Sequence, residues 1–332
     1  MAEPGRGLFI TNTRIGDTLL TTGALEALHR RHPELRFTVV AGPVAAPLFA
    51  ETPYVERVIP LRKTRFSGHW LRLWLQLMGV NWAVIADMRG SGVSRLLRAS
   101  KHHIRTTTRD DRRHKAEQAA SVVRAPVAEA RPVVHVSDIT RVRVRARLPE
   151  GQLLALAPAA NRVGKTWPLD RFAEYLKAAT APGGVLAGWS VAVLGGPEDA
   201  AAARGLQAAL PDRRILDFTG EALLPTAALL GQADLFVGND SGLMHLAAAV
   251  ETPVVALFGP TDERLYGPWG VDSRVVRDPE ARFEFGATSR TVSETECQMG
   301  GVAVTQVLEA TADILRTSPP RPRLPETGAK AI

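Results

Sequence analysis

Short apolar runs alternate with stretches of helical periodicity along most of the chain. In the first half, apolar runs predict strands at 8–12, 36–42, 57–61 and 82–88, and helices are predicted near 18–31, 44–50, 69–79 and 91–99. This alternation is typical of parallel α/β units, in which a helix returns the chain over the sheet after each strand.

The second half repeats the pattern. It predicts strands at 153–158, 190–196, 214–218, 233–238 and 254–259, and helices near 170–180, 198–210, 223–231, 241–250 and 302–316. The 332 residues are about twice the length of a typical domain of about 150. We therefore predict an α/β protein with two Rossmann-like, doubly wound domains, 1–150 and 151–316, that face a central cleft. A proline-rich tail, 317–332, follows them. The domain boundary is placed at the Pro-Glu-Gly turn within 145–152.

The two halves carry opposite net charges. Residues 1–150 hold 25 Lys and Arg against 13 Asp and Glu, a net charge of +12, whereas the remainder carries −5. A basic half of this kind indicates an anionic partner, such as a nucleic acid, a membrane surface or a phosphorylated substrate. An arginine-rich composition is the alternative, but it does not explain why acidic residues are scarce only in the first half.

Composition also limits the compartment and the chemistry. The single cysteine, Cys297, excludes an internal disulfide and offers no metal-site spacing, and it fits a reducing cytoplasm. No uninterrupted apolar run reaches the roughly 18 residues of a membrane span, and the N-terminus has no signal-peptide core. We therefore expect a cytoplasmic protein.

The segment GNDSGLMHLAAAV (238–250) follows a predicted strand and opens a predicted helix. Asp240 or Ser241 can cap that helix, and backbone N–H groups at a helix N-terminus bind phosphate readily. His245 lies one turn further on. A second loop, 259–270, adds Thr261 after the neighbouring strand. Because polar groups from two loops converge, an anionic ligand is favoured over a cap alone.

Five segments together resemble a known family. The segment FTGEALLPTAALLGQADLFVGNDSGLMHLAAAVETPVVALFGPTDERLYGPWG (218–270) resembles the signature of glycosyltransferase family 9, the lipopolysaccharide heptosyltransferases, which have the two-domain GT-B fold. TRIGDTLLTTGALEAL (13–28) is similar to the family's N-terminal loop and helix, and LAPAANRVGKTWPLDRFAEYL (156–176) to its Lys-x-Trp-Pro segment. With 193–199 and 302–315, these motifs occur in the expected order. Residues 60–135 match no signature, and acceptor choice is expected there.

The resemblance implies an inverting glycosyltransferase. It would move a sugar, heptose, from a nucleotide diphosphate sugar, ADP-heptose, to the lipopolysaccharide core or a related anionic lipid-linked glycan. The N-terminal domain would bind this acceptor and the C-terminal domain the nucleotide sugar, with peripheral contact at the cytoplasmic face of the inner membrane. Asp17 falls on the family's general base, and Lys165, Asp240, Ser241, Gly242 and His245 fall on its donor-binding positions. Asn239 and Thr261, beside them, are further donor-binding candidates.

The chemistry requires groups of these kinds. An acceptor hydroxyl needs a carboxylate to take its proton, and Asp17 follows a strand and Gly16, although it could instead cap the helix 18–31. The sequence has no Asp-x-Asp motif, so a helix N-terminus and Lys165 would have to stabilise the diphosphate without a metal or another cofactor. Asp240 is expected to accept hydrogen bonds from the donor sugar, because a carboxylate beside a diphosphate would repel it.

The first half supplies the candidates for acceptor binding. Arg14, Arg62, Lys63 and Arg65 are placed there as partners for acceptor phosphates or carboxylates. The segment 62–82 also combines arginine with tryptophan, a mixture suited to a lipid headgroup surface. Within it, Trp74, Leu71 and Leu75 are expected to belong to the core.

Other classes stay open on the sequence alone. A sugar-nucleotide epimerase or hydrolase of the same fold would need no glycan acceptor, which leaves the basic half without a purpose. A non-catalytic nucleotide-binding protein would not need a carboxylate at position 17. Nucleic-acid binding is indicated by charge alone, and a nicotinamide dehydrogenase lacks its Gly-x-Gly-x-x-Gly motif after the first strand of either half. If Asp17 is only a cap, Asp87 is the next carboxylate to test as a base.

Overall fold

The computed structural model describes residues 5–62, 64, 68–106, 112–212, 215–279, 281 and 295–320. Within them, each half of the chain forms one parallel sheet. The first half contains the strands β1 (Arg6–Ile10), β2 (Arg36–Ala41), β3 (Val55–Pro60), β4 (Trp82–Asp87) and β5 (Ala99–Ile104). Its helices are α1 (Ile15–Arg31), α2 (Gly68–Leu77), α3 (Gly92–Arg95), α4 (Lys115–Val122) and α5 (Asp138–Arg145).

The second half contributes the larger sheet. Its strands are β6 (Leu153–Ala157), β7 (Ser190–Gly195), β8 (Ile215–Thr219), β9 (Leu235–Asn239), β10 (Val254–Phe258) and β11 (Ser273–Arg277). Its helices are α6 (Leu169–Ala179), α7 (Ala200–Ala209), α8 (Leu223–Leu230), α9 (Gly242–Ala249), α10 (Glu263–Tyr266) and α11 (Val304–Thr317). The described strands order as β3-β2-β1-β4-β5 in the first sheet and β11-β10-β9-β6-β7-β8 in the second. Both orders are doubly wound.

Successive residues of the central strands enter cores on opposite faces of each sheet. In β1, Leu8 and Ile10 pack with α2 residues on one face, and Phe9 packs with α1 on the other. In β6, Leu154 and Leu156 join the cluster of α6 and α11. The α1 side of the first sheet and the α8 and α9 side of the second share one continuous hydrophobic cluster. The two halves are therefore joined by apolar packing beside the cleft.

Two strands that the apolar pattern did not predict lie at the sheet edges. The predicted helix 91–99 is wrong in its second part, because the helix there is the short α3 and the edge strand β5 begins at Ala99. Ser100, Lys101 and His102 of β5 are exposed, and β11 likewise ends its sheet. Polar and charged residues are typical of edge strands, where they discourage pairing with other chains. The predicted helix 44–50 is a single 3-10 helix, Ala46–Phe49.

The division at residue 150 stays a prediction. It falls between the two sheets, yet α5, which precedes it, packs against α8 of the second half. The predicted tail begins where α11 ends at Thr317, and residues 321–332 lie outside the described part of the chain. Among the described residues, no helix is both long enough and apolar enough to cross a membrane.

Candidate functional site

The strand orders locate the crevice of each sheet. In a doubly wound sheet, ligands bind beyond the carboxyl ends of the strands, where the strand order reverses. That reversal lies between β1 and β4 in the first sheet and between β6 and β9 in the second. The loops after β1, β6 and β9 carry Asp17, Lys165 and Asp240. The topology therefore places the predicted base and the predicted donor-binding residues at the two reversal points.

The two reversal points meet through two helix N-termini. A Cβ atom added to Gly16, near the start of α1, would lie 2.9 Å from Cδ2 of His245, and one added to Gly242, at the start of α9, would lie 3.1 Å from Cγ2 of Ile15. Glycine at these two positions therefore permits the close approach of α1 and α9. The N-terminus of a helix carries partial positive charge and free N–H groups, so two of them together favour an anion.

Asp17 lies in the first turn of α1 and does not cap it. The helix begins at Ile15 and Arg14 occupies the N-cap position, so the capping alternative for Asp17 is wrong. Asp17 is half-buried, and among the described residues none donates a hydrogen bond to its carboxylate. Burial raises the pKa of Asp17, the charges of Arg14 and Lys165 oppose this effect, and the charge of Asp240 adds to it. The site thus holds one carboxylate that is easier to protonate than an ordinary aspartate.

Lys165 and Asp240 form an ion pair in the second half. Nζ of Lys165, in the 3-10 turn Val163–Lys165 after β6, lies 2.6 Å from a carboxylate oxygen of Asp240, directly after β9. Asp240 is buried and the Lys165 side chain is 19% exposed. The sequence predicted separate tasks for these residues, and the structure pairs them. An ammonium group has three N–H donors, so this bond leaves Lys165 with further donors for a ligand.

Ser241 and His245 bring unsatisfied polar atoms to the same place. Ser241 occupies the N-cap position of α9, but its side chain makes no capping hydrogen bond. Its Oγ, and Nδ1 of His245, are buried without a hydrogen-bond partner among the described residues. Burial lowers the pKa of His245 to about 4, so its imidazole is neutral near pH 7. Buried polar atoms of this kind are costly unless a ligand or water pairs with them.

Asn239, a predicted donor-binding residue, makes two internal hydrogen bonds. Its Oδ1 accepts a hydrogen bond from the backbone N–H of Trp167 at 3.1 Å, and its Nδ2 donates to the carbonyl of Pro158 at 2.8 Å. The residue is completely buried. Asn239 therefore ties the loop that carries Lys165 to the end of β9, and its part in donor binding stays a prediction.

Thr261 and its neighbour extend the second-half site. Oγ1 of Thr261, in the loop after β10, is buried and has no partner among the described residues. The adjacent Asp262 caps α10 by accepting a hydrogen bond from the backbone N–H of Arg264 at 3.0 Å. Since β10 pairs with β9, the Thr261 loop lies beside the loop of Asp240 and Ser241.

The sequence missed a contact across the cleft at the start of α4. The imidazole of His114 stacks on Trp269 with ring centroids 4.4 Å apart, and its Nε2 lies 3.0 Å from the carbonyl of Gly267. Because Nδ1 accepts from the backbone N–H of Ala116, Nε2 carries the proton and donates it. Burial lowers the pKa of His114 to about 4. The positive charge of the next residue, Lys115, lowers the pKa of Asp17. The positive charge of this segment did not predict that it would lie at the site.

The four acceptor candidates are not all described. Arg14 is exposed beside Asp17, and its charge acts on that carboxylate. Arg62 is exposed in the loop after β3, which lies at the carboxyl ends of the strands, as does the loop after β1. Lys63 and Arg65 lie outside the described residues. In the described part of the chain, no group of three or more His, Cys, Asp or Glu residues could hold a metal ion.

Comparison with known proteins now gives the class. The family model described as glycosyltransferase family 9 (heptosyltransferase) matches residues 112–292. Lipopolysaccharide heptosyltransferase 1 of Escherichia coli K12 is 24% identical over 308 residues, which are 82% of this chain and 94% of that protein.

Solved structures agree with this family over nearly the whole chain. A family 9 glycosyltransferase from Veillonella parvula aligns with a TM-score of 0.74 at 20% identity, covering 96% of this chain and 99% of the other. Two structures of the E. coli heptosyltransferase WaaC, one with ADP and one with ADP-2-deoxy-2-fluoro heptose, align with TM-scores of 0.68 and 0.65 at 23% and 22% identity. Each covers 92% of this chain, and 100% and 99% of the WaaC chains. The fold is therefore of the GT-B type. The chain belongs to glycosyltransferase family 9, the heptosyltransferase family of enzymes.

Proposed function

We propose that the protein transfers heptose from ADP-heptose to a hydroxyl of a lipopolysaccharide core or a related lipid-linked glycan, with Asp17 as the general base. The observation that carries the proposal is the arrangement of charge. A carboxylate with a raised pKa lies beside the N-terminus of α1, next to the N-terminus of α9 and within the field of the Lys165 and Asp240 pair.

The second half supplies the features that favour a nucleotide diphosphate. The start of α9 offers N–H groups to the phosphates, and Lys165 adds a positive charge. The hydroxyls of Ser241 and Thr261, buried without partners among the described residues, would gain hydrogen bonds from a bound ligand. Relatives of known structure hold ADP and an ADP-heptose analogue, which supports adenine and heptose for this chain.

Lys165 and Asp240 bind different parts of the donor. The Lys165 ammonium keeps its bond to Asp240 and directs a second N–H at a phosphate oxygen, so its positive charge stabilises the diphosphate as it leaves. Asp240 keeps the remaining capacity of its carboxylate for hydroxyls of the donor sugar. The pairing also reduces the repulsion between Asp240 and the diphosphate. Asn239 holds the Lys165 loop in place for this interaction.

Asp17 serves the other reactant. As the acceptor oxygen forms its bond to the anomeric carbon, its proton passes to the Asp17 carboxylate. The bond between that carbon and the diphosphate oxygen breaks, and the electron pair leaves with ADP. Attack from the side opposite the leaving group inverts the anomeric configuration. A raised pKa makes Asp17 a stronger proton acceptor whenever the pH exceeds it, and such general base catalysis is worth about 10²–10⁴-fold.

The first half is the proposed acceptor side. Its net charge of +12 suits an anionic glycan, and Arg14 and Arg62 are exposed at the sheet edge that carries Asp17. We assign acceptor phosphates or carboxylates to these two arginines together with Lys63 and Arg65. The domain limits 1–150 and 151–316 belong to the same proposal.

A product assay with three reactant mixtures tests the function. Purified protein is incubated with ADP-heptose and a lipid A core acceptor, with ADP-heptose alone, and with the acceptor alone. We expect ADP release and a glycan longer by one heptose only in the complete mixture. Release of ADP without acceptor would indicate a hydrolase, a changed sugar on intact nucleotide would indicate an epimerase, and binding without any product would indicate a non-catalytic protein.

A further inference from the structure

The outward face of α2 is apolar, which is unusual for a helix on a protein surface. Leu73 and Leu77 face the core of the first sheet and are buried. On the opposite side of the helix, Leu71, Leu75 and Met78 are 61%, 58% and 47% exposed. These three residues are spaced by four and three positions, so they form one stripe, and a surface helix normally presents polar residues there.

The helix was predicted, but the prediction was wrong for two of its leucines. Leu71 and Leu75 were expected in the core, but the core is filled by the neighbouring positions of the same helix. Trp70 and Trp74 are half-buried and pack against the core of the first sheet, so the prediction for Trp74 is confirmed in part. The short helix α3 packs against α2 and is followed by Leu96, which is 71% exposed. We call Leu71, Leu75, Met78 and Leu96 the α2 patch.

The segment of the chain that contains the α2 patch is strongly basic. From Arg57 to Thr106 the sequence holds ten Lys and Arg and a single acidic residue, Asp87, which is fully buried. Arg72 and Arg95, adjacent in sequence to Leu71 and Leu96, are exposed. An exposed apolar stripe beside exposed arginines matches the interface of an anionic bilayer, which combines acyl chains with negative headgroups.

We propose that the α2 patch docks the protein on an anionic lipid bilayer. Leu71, Leu75, Met78 and Leu96 enter the boundary between headgroups and acyl chains, and Arg72 and Arg95 bind lipid phosphates. Because α2 follows the carboxyl end of β3, this surface begins at the sheet edge that carries Asp17. Docking would hold that edge next to the bilayer. The inference goes beyond the proposed reaction, because binding to vesicles requires neither donor nor acceptor.

Vesicle sedimentation tests the proposal directly. The full chain is spun with vesicles of phosphatidylcholine containing about one third phosphatidylglycerol, and with vesicles of phosphatidylcholine alone. We expect binding to the anionic vesicles, weakened by added salt. Leu71→Gln/Leu75→Gln should weaken it at least about tenfold, because two large apolar side chains no longer leave water. Arg72→Gln/Arg95→Gln should weaken it about tenfold for anionic vesicles.

A matched control comes from α5. Ile139 and Val142 are 73% and 69% exposed on that helix, so Ile139→Gln/Val142→Gln removes a similar apolar pair elsewhere. This variant should bind vesicles as the wild type does, and all variants should melt at similar temperatures because the substituted side chains are exposed.

Other results would overturn the proposal. These are no vesicle binding by the wild type, equal binding to neutral vesicles, or equal losses in the α2 and α5 variants. If light scattering shows that the wild type is a dimer and Leu71→Gln/Leu75→Gln a monomer, and neither binds vesicles, the patch is an interface between two copies. Glycan transfer to a soluble acceptor reports on the reaction separately, so it can fail while docking holds, or hold while docking fails.

Discussion

Asp87 is the last residue of β4, and Asp17 lies in the helix that follows the adjacent parallel strand β1, but their surroundings differ. The Asp87 carboxylate accepts hydrogen bonds from the backbone N–H groups of Arg89, Gly90 and Ser91 and from the hydroxyls of Ser91 and Ser94, at 2.6–3.1 Å. The carboxylate of Asp17 receives none from the described residues. Asp87 is therefore a structural carboxylate, whereas the Asp17 carboxylate remains free to accept a proton.

The difference originates in the two loops. After β4 the chain turns tightly, with Gly90 at a φ of 67°, and the turn directs its donors at Asp87. All these donors lie within residues 89–94, directly after β4. The groups that act on Asp17 lie partly in the other half of the chain, since the charges of Lys165 and Asp240 reach it across the cleft. Asp87 depends on local sequence, whereas Asp17 depends on how the two halves meet.

The largest effect is expected for Asp17→Asn. The substitution keeps the size of the side chain and removes the basic carboxylate, so turnover at saturating substrates should fall by at least about a hundredfold. Initial rates of glycan extension measure this, and the binding of ADP and a thermal melt confirm that the variant is folded. Near wild-type turnover in a folded Asp17→Asn variant would remove Asp17 as the base.

Asp87→Asn should lower stability and leave turnover nearly unchanged, the opposite of Asp17→Asn. The amide presents two N–H donors to a turn that already supplies donors, so several charge-assisted hydrogen bonds are lost and donors are left buried. We expect the free energy of unfolding to fall by about 3 kcal/mol, measured by denaturant titration. Turnover at a temperature where the variant is folded should stay close to that of the wild type. A stable Asp87→Asn variant with greatly reduced turnover would exchange the roles of the two carboxylates.

Lys165→Met tests whether the site depends on the opposite half. Removal of the ammonium should weaken ADP binding about tenfold, as expected for one lost charge-assisted contact to a phosphate. It also leaves the buried Asp240 carboxylate unpaired, so stability should fall. Isothermal titration with ADP measures the affinity.

A second variant separates the two consequences of Lys165→Met. Lys165→Met/Asp240→Asn removes both charges, so it should recover part of the lost stability while ADP binding stays weak. Recovery of ADP affinity in the double variant would mean that Lys165 only neutralises Asp240 and makes no contact with the diphosphate.

These contrasts also mark what the sequence could predict. The central strands and the long helices were predictable because buried apolar runs and helical periodicity are local signals. The family motifs identified Asp17, Lys165 and Asp240 as candidate site residues. The edge strands β5 and β11 were missed because half-exposed strands carry polar residues.

Contacts between distant segments were beyond sequence reasoning. The pairing of Lys165 with Asp240 joins loops 75 residues apart, and the contact of His114 with Gly267 joins residues 153 apart. The internal hydrogen bonds of Asn239 were missed for the same reason. The surroundings of Asp17 were equally out of reach, because two of the charges that act on its carboxylate come from the other half of the chain.

The smallest expected effect concerns the pH dependence of Asp17. Its base form is the deprotonated one, so the rate should rise with pH as Asp17 loses its proton, and the raised pKa places this rise above the ordinary aspartate value of 3.8. The charge of Arg14 is the largest influence that lowers the pKa of Asp17. Arg14→Gln should therefore move the rise in kcat/KM to higher pH, and Lys115→Gln should move it in the same direction by less. Arg62→Gln is the control, because the charge of Arg62 is not among those that act on Asp17.

The contribution of Asp17 to stability depends on pH in the opposite direction. A carboxylate that binds its proton more tightly in the folded state favours folding at low pH, and this contribution is lost as the pH rises from 3.8 through the folded pKa. Arg14→Gln should widen the pH range over which this stability is lost. An unchanged pH profile of kcat/KM in Arg14→Gln would mean that a group other than Asp17 holds the proton that governs the rate.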